Sequence, residues 1–513
     1  MRRLLLVIAV VALSWSCSPG ATTGPNPATS APTELPVVSL PPLPARVPVV
    51  PVVGFSSRLR ALAPDDLAAL AAGDEPRRLS QLHLIDDERE AMISALTLTG
   101  TTIAERLVRH PDQASLRTAL LADPAAVGML RVSALEPALA PLAVDGATLT
   151  GVDRLRDLTA WPLVADLPTV EDGGYDPAVA WTAVIGGDIL IDRGVANTAR
   201  RRARGADFAF DGGTADITGT RCCGLFGDRV TVATRNGNAG AIRALLAGAD
   251  LALANLESPT PRNWVYHNQG TRFTGDPRLL AGIARSGIDV LSLANNHIGD
   301  GGRVGILETI AAVTTAGMAP TGAGADLTAA RAPHLVEVGG VTAAIIAVDG
   351  VAGYYHATAN RPGAAPLSVA ELRRAIPAAR AAGAELVLVF PHWGNEFQAE
   401  PTSGQRTIAR AAIEAGADLV VGGHSHWASA MEIIDGRPVL YGIGNFVFDQ
   451  NWSVETAQGL LVEATFRGAR LVALRLHPTQ ILDQSQPNLL DPAGDGEAVL
   501  ERVERGSRGL SGW

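Results

Sequence analysis

The sequence predicts a layered α/β sandwich in the distal part of the chain, preceded by a smaller α/β domain. At 513 residues the chain is too long for one ordinary hydrophobic core. In the distal part, apolar strand-like runs alternate with helix-like segments, which is typical of a sheet buried on both faces. Polar groups follow these runs directly, so we expect the chemistry at the strand ends.

The charge balance argues against nucleic-acid binding. The chain has 52 acidic and 42 basic residues, a formal net charge of -10, and every one of those bases is arginine. A nucleic-acid-binding protein needs a basic face, which this balance does not favour. A planar guanidinium grips a carboxylate or a phosphate with two bonds, so the arginines suit an anionic partner.

The N-terminus predicts export. Arg2 and Arg3 precede an apolar run, Leu4 to Leu13, that is too short to span a membrane in the mature protein, and a possible processing site ends at Cys17. Cys17 resembles the lipidation site of bacterial lipoproteins, so residues 1–17 are expected to be a signal peptide with Cys17 acylated; an ordinary signal peptide is the alternative. Residues 18–46, rich in Pro, Ser and Thr, predict a semi-stiff linker. We therefore expect an extracytoplasmic, cell-surface protein anchored to the membrane by lipid.

Residues 47–168 predict a small α/β accessory domain. Strands are predicted at Val49–Phe55, Val127–Val132 and Leu142–Val144, and helices at Asp65–Ala72, Asp87–Ala95, Ile103–Arg109 and Ser115–Ala122. The wording Leu-Arg-Ala-Leu-Ala-Pro-Asp-Asp early and Gly-Met-Leu-Arg-Val-Ser-Ala-Leu late resembles part of a phosphate-type periplasmic solute-binding protein. An unrelated small α/β domain is the alternative, and no ligand site is carried over.

Residues 178–485 predict the larger domain, and 486–513 a tail with a helix at Gly496–Arg505. Strands are predicted at Ala183–Ile185, Leu251–Ala254, Val290–Leu293, Thr342–Val348, Leu386–Phe390 and Leu419–Val421. Helices are predicted at Ala241–Ala247, Leu279–Arg285, Ile306–Ala316, Ala370–Ala382 and Ile408–Ala415. The last strands, Tyr441–Asp449, Leu460–Phe466 and Leu471–Leu476, are predicted to be antiparallel.

Residues of metal-ligand type follow several of these strands. They are Asp188, Glu257, Asn296, His392, His424 and His426. Each signal alone is weak, because a Gly-Asp is usually a turn and an isolated His is usually a structural residue. Together they supply carboxylate, amide and imidazole groups, the mixed set that holds Mn, Zn, Fe or Mg. In extended chain His424 and His426 project to the same side, which favours one shared site.

The longest motifs carry a family resemblance. Ser-Leu-Ala-Asn-Asn-His-Ile-Gly-Asp at 292–300, His-Trp-Gly-Asn-Glu at 392–396, Gly-His-Ser-His at 423–426 and Tyr-Gly-Ile-Gly-Asn-Phe-Val-Phe-Asp at 441–449 follow one another in order. Over about 183–466 the chain resembles the CapA family, the bacterial capsule and poly-γ-glutamate synthesis proteins with a metallophosphoesterase-like fold. This implies a metal-dependent hydrolase of phosphoester or amide bonds in capsule, poly-γ-glutamate or other envelope polymer metabolism. A non-catalytic polymer-binding or export component is the alternative.

The same resemblance implies a role for each candidate residue. Asp188 and His426 would bind one divalent metal, Asn296, His392 and His424 a second, with Glu257 bridging and His297 as general acid. The Asp-x-His of metallophosphoesterases is incomplete here, because Ile189 and Leu190 follow Asp188, so one or two metals are expected. His267 or Asp300 would be candidates to compensate, and Asp300 is equally expected to be a helix N-cap.

Other residues are weaker candidates for contact with substrate. Glu396 would orient His392 or touch substrate, Asn445 would line the pocket, and Arg272 would clamp a carboxylate or phosphate; a solvated acid and a turn amide are the alternatives for the first two. The Arg200–Arg204 cluster is expected to be a solvated face. The Cys222/Cys223 pair is expected to be a local loop feature, with a vicinal disulfide or a pairing between chains as the alternatives. The expected partners are an anionic envelope polymer or a small phosphoester, the membrane, and other capsule-synthesis proteins.

Overall fold

The computed structural model describes residues 44–72, 79–96, 107–168, 176 and 179–512. The predicted signal peptide, Cys17 and residues 18–43 of the predicted linker lie outside the described residues. Within the described ranges, no helix is both long enough and apolar enough to cross a membrane.

The N-terminal region, residues 44–168, combines a mixed sheet with three flanking helices in its described part. The strands are β1 (Pro44–Gly54), β2 (Ala61–Leu62), β3 (Leu82–Ile85), β4 (Leu107–His110), β5 (Val127–Arg131), β6 (Leu139–Pro141), β7 (Ala143–Val144) and β8 (Val164–Pro168). The helices are α1 (Pro64–Ala72), α2 (Arg89–Ala95) and α3 (Gln113–Ala122). The main sheet has the order β4-β3-β5-β1-β6, and β8 also pairs with β1.

The helix predicted at Ile103–Arg109 is wrong in the part that the structure describes. Residues 107–110 form β4, which pairs in parallel with β3, and residues 103–106 lie outside the described ranges. A short apolar run fits a buried strand as well as a helix, so its periodicity does not separate the two. Pairing with a neighbouring strand decides the outcome, and the sequence does not reveal that neighbour.

The strands of the distal region build two further large sheets. They are β9 (Ala180–Ile189), β10 (Thr214–Arg221), β11 (Val230–Gly237), β12 (Leu251–Leu256), β13 (Val290–Ser292), β14 (Ala319–Thr321), β15 (Ala323–Gly324), β16 (His334–Val338), β17 (Val341–Asp349), β18 (Gly363–Ala364), β19 (Leu386–His392), β20 (Leu419–Val421), β21 (Met431–Ile434), β22 (Arg437–Leu440), β23 (Asn445–Val447), β24 (Gln458–Arg467), β25 (Arg470–Leu482) and β26 (Gln486–Leu489).

One sheet has the order β11-β10-β26-β25-β24-β9-β12-β13-β14, with β23 beside β9. The other has the order β16-β17-β19-β20-β22-β21. Apolar side chains of β9, β12 and β24 form one buried core with those of β17, β19 and β20, so the two sheets pack face to face. This is the layered α/β sandwich that the sequence predicts.

Helices pack against both sheets. They are α4 (Arg193–Ala196), α5 (Ala241–Gly248), α6 (Leu280–Arg285), α7 (Gly302–Thr315), α8 (Leu327–Arg331), α9 (Val369–Ala381), α10 (Ser403–Glu414) and α11 (Glu497–Ser507). Helices α5, α6 and α7 bury apolar residues against the β9-containing sheet, and α9 and α10 against the β19-containing sheet. Helix α10 begins with a capping box between Thr402 and Gln405, which fixes where the chain turns after β19.

The pairing of β23 differs from the prediction, and the β10–β11 hairpin is an additional feature. β24 and β25 are antiparallel as predicted, but β23, inside the predicted Tyr441–Asp449 strand, pairs in parallel with β9. The β10–β11 hairpin is not predicted, and its tip carries Cys222 and Cys223 joined in a disulfide. Parallel pairing of β23 brings Asn445 beside Asp188, at the end of the sheet where the candidate ligands lie.

The described residues form one compact unit. Arg470 on β25 donates hydrogen bonds to the carbonyl oxygens of Ser133 and Leu135 (3.0 and 2.6 Å), and Arg58 pairs with Glu504 on α11 at 2.6 Å. The N-terminal region therefore packs directly on the β25 side of the sandwich. The predicted division between residues 168 and 178 stays a prediction.

Candidate metal centre

Asp188 lies near the end of β9, where the chain passes very close to a neighbouring loop. A Cβ atom on the preceding Gly187 would come within 1.9 Å of the Gly444 carbonyl oxygen, so a side chain does not fit there. Asp188 is fully buried and accepts hydrogen bonds from Asn255 Nδ2 (2.8 Å) and the His424 amide (3.2 Å). Burial, with the nearby Glu257 adding to it, raises the pKa of Asp188 to about 7.

Glu257 directly follows β12 and is also fully buried. Neither of its carboxylate oxygens accepts a hydrogen bond from a described residue. The nearest basic atoms are Nε2 of His392 at 3.3 Å and Nδ1 of His426 at 4.0 Å. Burial raises the pKa of Glu257 to about 8. A buried carboxylate without donors is costly, so this position suits a cation that the polypeptide does not itself supply.

His392 ends β19 and places its Nε2 at the middle of the candidate ligands. This nitrogen lies 2.8 Å from Asn296 Oδ1 and 3.2 Å from His424 Nδ1. The ring is buried, and burial lowers the pKa of His392 below its ordinary value. A neutral imidazole offers a lone pair, which is the form that binds metal.

The turn after β20 carries His424 and His426 in an uncommon backbone conformation. Their φ angles are 85° and 55°, in the left-handed region that non-glycine residues rarely adopt. Gly423 makes room beside them, since a Cβ there would lie 3.0 Å from Asp188 Oδ1. Burial lowers the pKa of both histidines, that of His426 to about 3. Such backbone strain is typical of sites where side-chain position matters.

The candidate ligands form two groups that share Glu257. Within each group, one ligand atom from each residue lies within 4.8 Å of the others; the groups are Glu257, His392 and His424, and Asp188, Glu257 and His426. Carboxylate oxygens and imidazole nitrogens are the donors that Zn, Mn and Fe accept. These residues therefore fit one or two divalent cations. The sharing of Glu257 matches the arrangement that the resemblance implies, and the individual roles stay predictions.

His297 lies at the rim of this centre and is held from two sides. Its Nδ1 lies 2.8 Å from Asp300 Oδ2, and its ring packs on Phe273 with ring centroids 4.2 Å apart. Asp300 does not cap α7, which begins after Gly301 without a side-chain cap. The Asp300 carboxylate instead accepts from the Phe273 amide as well, at 2.9 Å. His267, the other candidate to compensate, pairs with Asp192 at 2.5 Å.

The three weaker candidates lie around the same centre. Asn445 is fully buried, and its Oδ1 lies 2.8 Å from His426 Nδ1, so it fixes that ring. Glu396 Oε1 is 3.9 Å from His426 Nε2, and its side chain is 45% exposed at the rim. Arg272 donates from Nε to the Asp300 carbonyl oxygen at 2.9 Å and lines the cleft.

A large open cleft of about 1280 Å³ lies over the centre. Asn296, His297, Glu396 and His426 form part of its floor. The walls combine cationic, amide and aromatic side chains: Arg193, Arg221, Arg272, Asn268, Gln269, Gln450, Asn451, Tyr354, Phe397 and Trp452. The cleft is large enough for an extended ligand with anionic groups.

Two residues of this site were not assigned from the sequence. Asn255 links the ligands, because its Nδ2 lies 2.8 Å from Asp188 Oδ1 and 3.4 Å from His392 Nδ1. Arg193 is buried at the cleft wall, donates to Asp449 (2.5 Å), and has no partner for its Nε among the described residues. Asn255 stands two positions before Glu257, which was a usable signal. Arg193 follows a turn after β9 and carried none.

The fold and this centre define an α/β sandwich with a buried carboxylate and imidazole cluster. The chain belongs to the bacterial capsule synthesis protein family PGA_cap, whose model matches residues 182–450. That segment contains every predicted metal ligand and His297. The expected CapA-type resemblance is thereby confirmed.

Individual relatives agree with this assignment. The chain is 29% identical to the capsule biosynthesis protein CapA of Bacillus anthracis over 51% of this chain and 65% of that protein. It is 30% identical to the PGA biosynthesis protein CapA of Bacillus subtilis over 43% of this chain and 59% of that protein. The chain thus spans less than two thirds of these relatives. A calcineurin-like phosphoesterase structure from Bacillus subtilis aligns with 64% of this chain and 96% of its own, at 12% identity and a TM-score of 0.33.

Proposed function

We propose that this protein is a metal-dependent hydrolase of the bacterial cell surface that cleaves phosphoester or amide bonds in capsule, poly-γ-glutamate or another envelope polymer. The observation that carries the proposal is Glu257, a fully buried carboxylate to which no described residue donates a hydrogen bond and beside which imidazoles lie. No described residue donates a hydrogen bond to this carboxylate, and a divalent cation would be a direct positive partner for it. The relatives named for capsule and PGA biosynthesis support an envelope polymer as substrate.

The proposed ligands divide between two positions. Asp188 and His426 would hold one cation, Asn296, His392 and His424 the other, with Glu257 shared between them. A bound divalent cation would supply Lewis acidity and lower the pKa of water at the centre. Because the rings are kept neutral by burial, no proton has to leave them before a metal binds.

His297 is proposed to hold and deliver the proton needed by the leaving group. Its Nδ1 is occupied by Asp300, which leaves Nε2 for the substrate, and Phe273 fixes the plane of the ring. Arg272 and the buried Arg193 line the cleft beside it and would bind anionic groups of the substrate.

A non-catalytic polymer-binding or export component is the second candidate. The observation that favours it is local: Ile189 and Leu190 follow Asp188, so β9 supplies one ligand where the resemblance leads to two. In that case the cation would hold the strand ends together without reaction.

Export, lipid attachment at Cys17 and contact with other capsule-synthesis proteins are proposed for either candidate. Metabolic labelling with a fatty acid in wild type and Cys17→Ser tests the attachment.

The two candidates are separated by metal content and turnover. Purified protein would be analysed for Mn, Fe, Zn and Mg, then assayed on bis-p-nitrophenyl phosphate and poly-γ-glutamate with and without added Mn or Zn. For the hydrolase we expect about one or two metals per chain and turnover that falls at least ~100-fold in His424→Ala and Asn296→Ala. His334→Ala, which removes a histidine on β16 away from the centre, is the matched control.

The outcomes are distinct. Metal loss together with activity loss in the His424 and Asn296 variants, but not in the control, supports the hydrolase. The non-catalytic component is supported if the two variants lose metal, wild type shows no measurable turnover, and polymer binding by wild type survives chelation. Retention of both metal and activity in His424→Ala contradicts the proposed centre.

A further inference from the structure

A row of arginines follows α4, and most of it lies against aromatic rings. Arg200, Arg201, Arg202 and Arg204, here called the arginine ridge, come at the end of a short π-helical turn, Asn197–Arg201. The guanidinium of Arg200 lies 4.6 Å from the Trp264 ring centroid, that of Arg201 4.3 Å from Tyr266, and that of Arg204 5.2 Å from Phe208. The cluster is exposed, as expected, and three of its four arginines also contact aromatic rings.

Acidic partners neutralise only part of the ridge among the described residues. Arg200 pairs with Asp276 at 2.9 Å. Arg201, Arg202 and Arg204 are exposed, and none of them forms an ion pair with a described residue. The chain as a whole carries a net charge of -10, so an uncompensated positive row runs against its overall balance. Such a patch attracts anions locally.

Stacking prepares these guanidinium groups for anions. A ring covers one face of the planar group, while its N–H donors point outward from the edge and stay available. Because the ring already restricts the long side chain, less conformational entropy is lost when an anion binds. The backbone is also fixed, since Arg202, Arg204 and Gly205 donate their amides back to carbonyls of residues 197–199 at 2.9–3.3 Å.

Two segments of the chain link the ridge to the wall of the cleft over the candidate metal centre. Arg193 lines the cleft and begins α4, and Arg201 stands eight residues further along the chain, at the end of the π-helical turn that continues this helix. The second connection is the loop that carries Trp264 and Tyr266, because its next residues, Asn268 to Arg272, form the cleft wall. Both connections are short along the chain, so the ridge lies within reach of a long linear ligand that also occupies the cleft.

We propose that Arg201 and Arg204 of the arginine ridge bind successive anionic groups of a linear polymer while another part of the same polymer occupies the cleft. The polymer class is a polyanion with repeated carboxylates or phosphates, which a planar guanidinium recognises. This inference rests on the proposed polymer substrate. In this proposal the ridge binds the polymer, and the candidate metal centre acts on one of its bonds.

An anionic membrane surface would also attract the ridge, and the structure favours the polymer. Membrane-binding surfaces add protruding apolar and aromatic side chains that enter the bilayer interface. Trp264, Tyr266 and Phe208 are partly buried beneath the guanidinium groups, where they support the arginines. Val265 on the same loop is 62% exposed, but it is a single aliphatic side chain and not an apolar patch. The short link to the cleft fits a polymer that occupies the ridge and the centre together, whereas membrane binding would not require it.

The test measures polymer binding in the full-length protein. Fluorescein-labelled poly-L-glutamate and polyphosphate would be titrated by fluorescence anisotropy at low and physiological salt, with wild type, Arg201→Gln/Arg204→Gln, and the control Arg505→Gln/Arg508→Gln. The control removes the same charge from exposed positions at the C-terminus. Turnover of bis-p-nitrophenyl phosphate and metal content are measured in parallel, together with sedimentation of phosphatidylcholine vesicles with and without phosphatidylglycerol.

We expect the ridge variant to bind at least one polymer about 5- to 10-fold more weakly at low salt, with metal content and small-substrate turnover unchanged. Equal polymer binding by the ridge variant and the control overturns the inference. Ridge-dependent binding of phosphatidylglycerol vesicles without ridge-dependent polymer binding also overturns it, in favour of a membrane contact. Absence of metal or turnover in wild type contradicts the proposed hydrolase, while the polymer titration still decides the role of the ridge.

Discussion

Glu257 and Glu463 are two glutamates at most 2% exposed, and their surroundings are opposite. Glu463 on β24 lies where the N-terminal region packs on the sandwich. It accepts from the Val152 amide at 2.7 Å, from His477 at 3.0 Å and from Arg475 at 3.3 Å. Glu257 accepts no hydrogen bond from any described residue. The same side chain is fully satisfied in one region and left open in the other.

The pKa values report this difference. Burial alone would raise both. For Glu463, hydrogen bonding from His477 and the charges of His477 and Arg475 outweigh burial and lower the pKa to about 2. For Glu257, burial prevails and the pKa rises to about 8. A buried carboxylate with its own donors holds a structure together, whereas one without donors is a site prepared for a cation.

The largest expected effect comes from Glu257→Gln. The variant keeps the shape of the side chain and removes the shared negative charge, so metal affinity should fall at least ~100-fold. In excess chelator the same change should raise the free energy of unfolding at pH 8 by about 1–2 kcal/mol, because it relieves an uncompensated buried charge. Metal titration and thermal unfolding with chelator measure the two effects.

The sign of the stability change is the informative part. Replacing a structural carboxylate by an amide destabilises the protein. Replacing a metal-binding carboxylate by an amide stabilises the protein when the metal is absent. If Glu257→Gln destabilises the metal-free protein, then Glu257 is a structural residue and the proposed centre loses its main support.

The second largest effect is expected from Glu463→Gln, and it is opposite in sign for stability. The change leaves Arg475 and His477 without their charged partner, so we expect the free energy of unfolding to fall by about 2–3 kcal/mol. Metal affinity should stay within about twofold of wild type, because Glu463 belongs to the junction with the N-terminal region and contributes to neither ligand group. Chemical denaturation and metal titration on one preparation test both statements, and a parallel loss of metal would show that the two regions are coupled.

The contrast between the two glutamates also shows which features of the structure can be predicted from the sequence. The parallel strands of the sandwich were predictable, because continuous apolar runs such as Leu386–Phe390 and Leu419–Val421 alternate with helical segments. Two other strand pairings were not predictable. The sequence of β4 resembles the end of a helix, and only its pairing with β3 makes it a strand. β23 pairs with β9 in parallel because of the path of the chain in space, which local periodicity does not encode.

The same limit applies to the candidate site. Strand ends and the family motifs pointed to Asp188, Glu257, His392 and the 424–426 pair, which the structure brings together, while their roles as ligands remain to be tested. What the sequence could not reveal is partnership. The sequence around Glu463 and Glu257 does not show that the first accepts from three donors and the second from no described residue, because the donors lie elsewhere in the chain.

The smallest of the three expected effects is a pH dependence that belongs to Glu463. Its pKa in the folded protein, about 2, lies below the ordinary value of 4.5. The stabilisation is therefore complete above the ordinary value and is lost as the pH falls through 4.5 toward 2, because the unfolded chain takes up the proton first. Between pH 5 and pH 3 the loss assigned to this one group is about 1–2 kcal/mol.

Other acids contribute to acid denaturation, so the measurement compares two proteins. The free energy of unfolding of wild type and Glu463→Gln would be followed from pH 6 to pH 3 in chelator, which removes any contribution from bound metal. The difference between them should be largest near pH 6 and shrink by about 1–2 kcal/mol toward pH 3, since glutamine has no proton to take up there. A constant difference would mean that His477 and Arg475 do not hold Glu463 in its charged form, and the contrast with Glu257 would then rest on geometry alone.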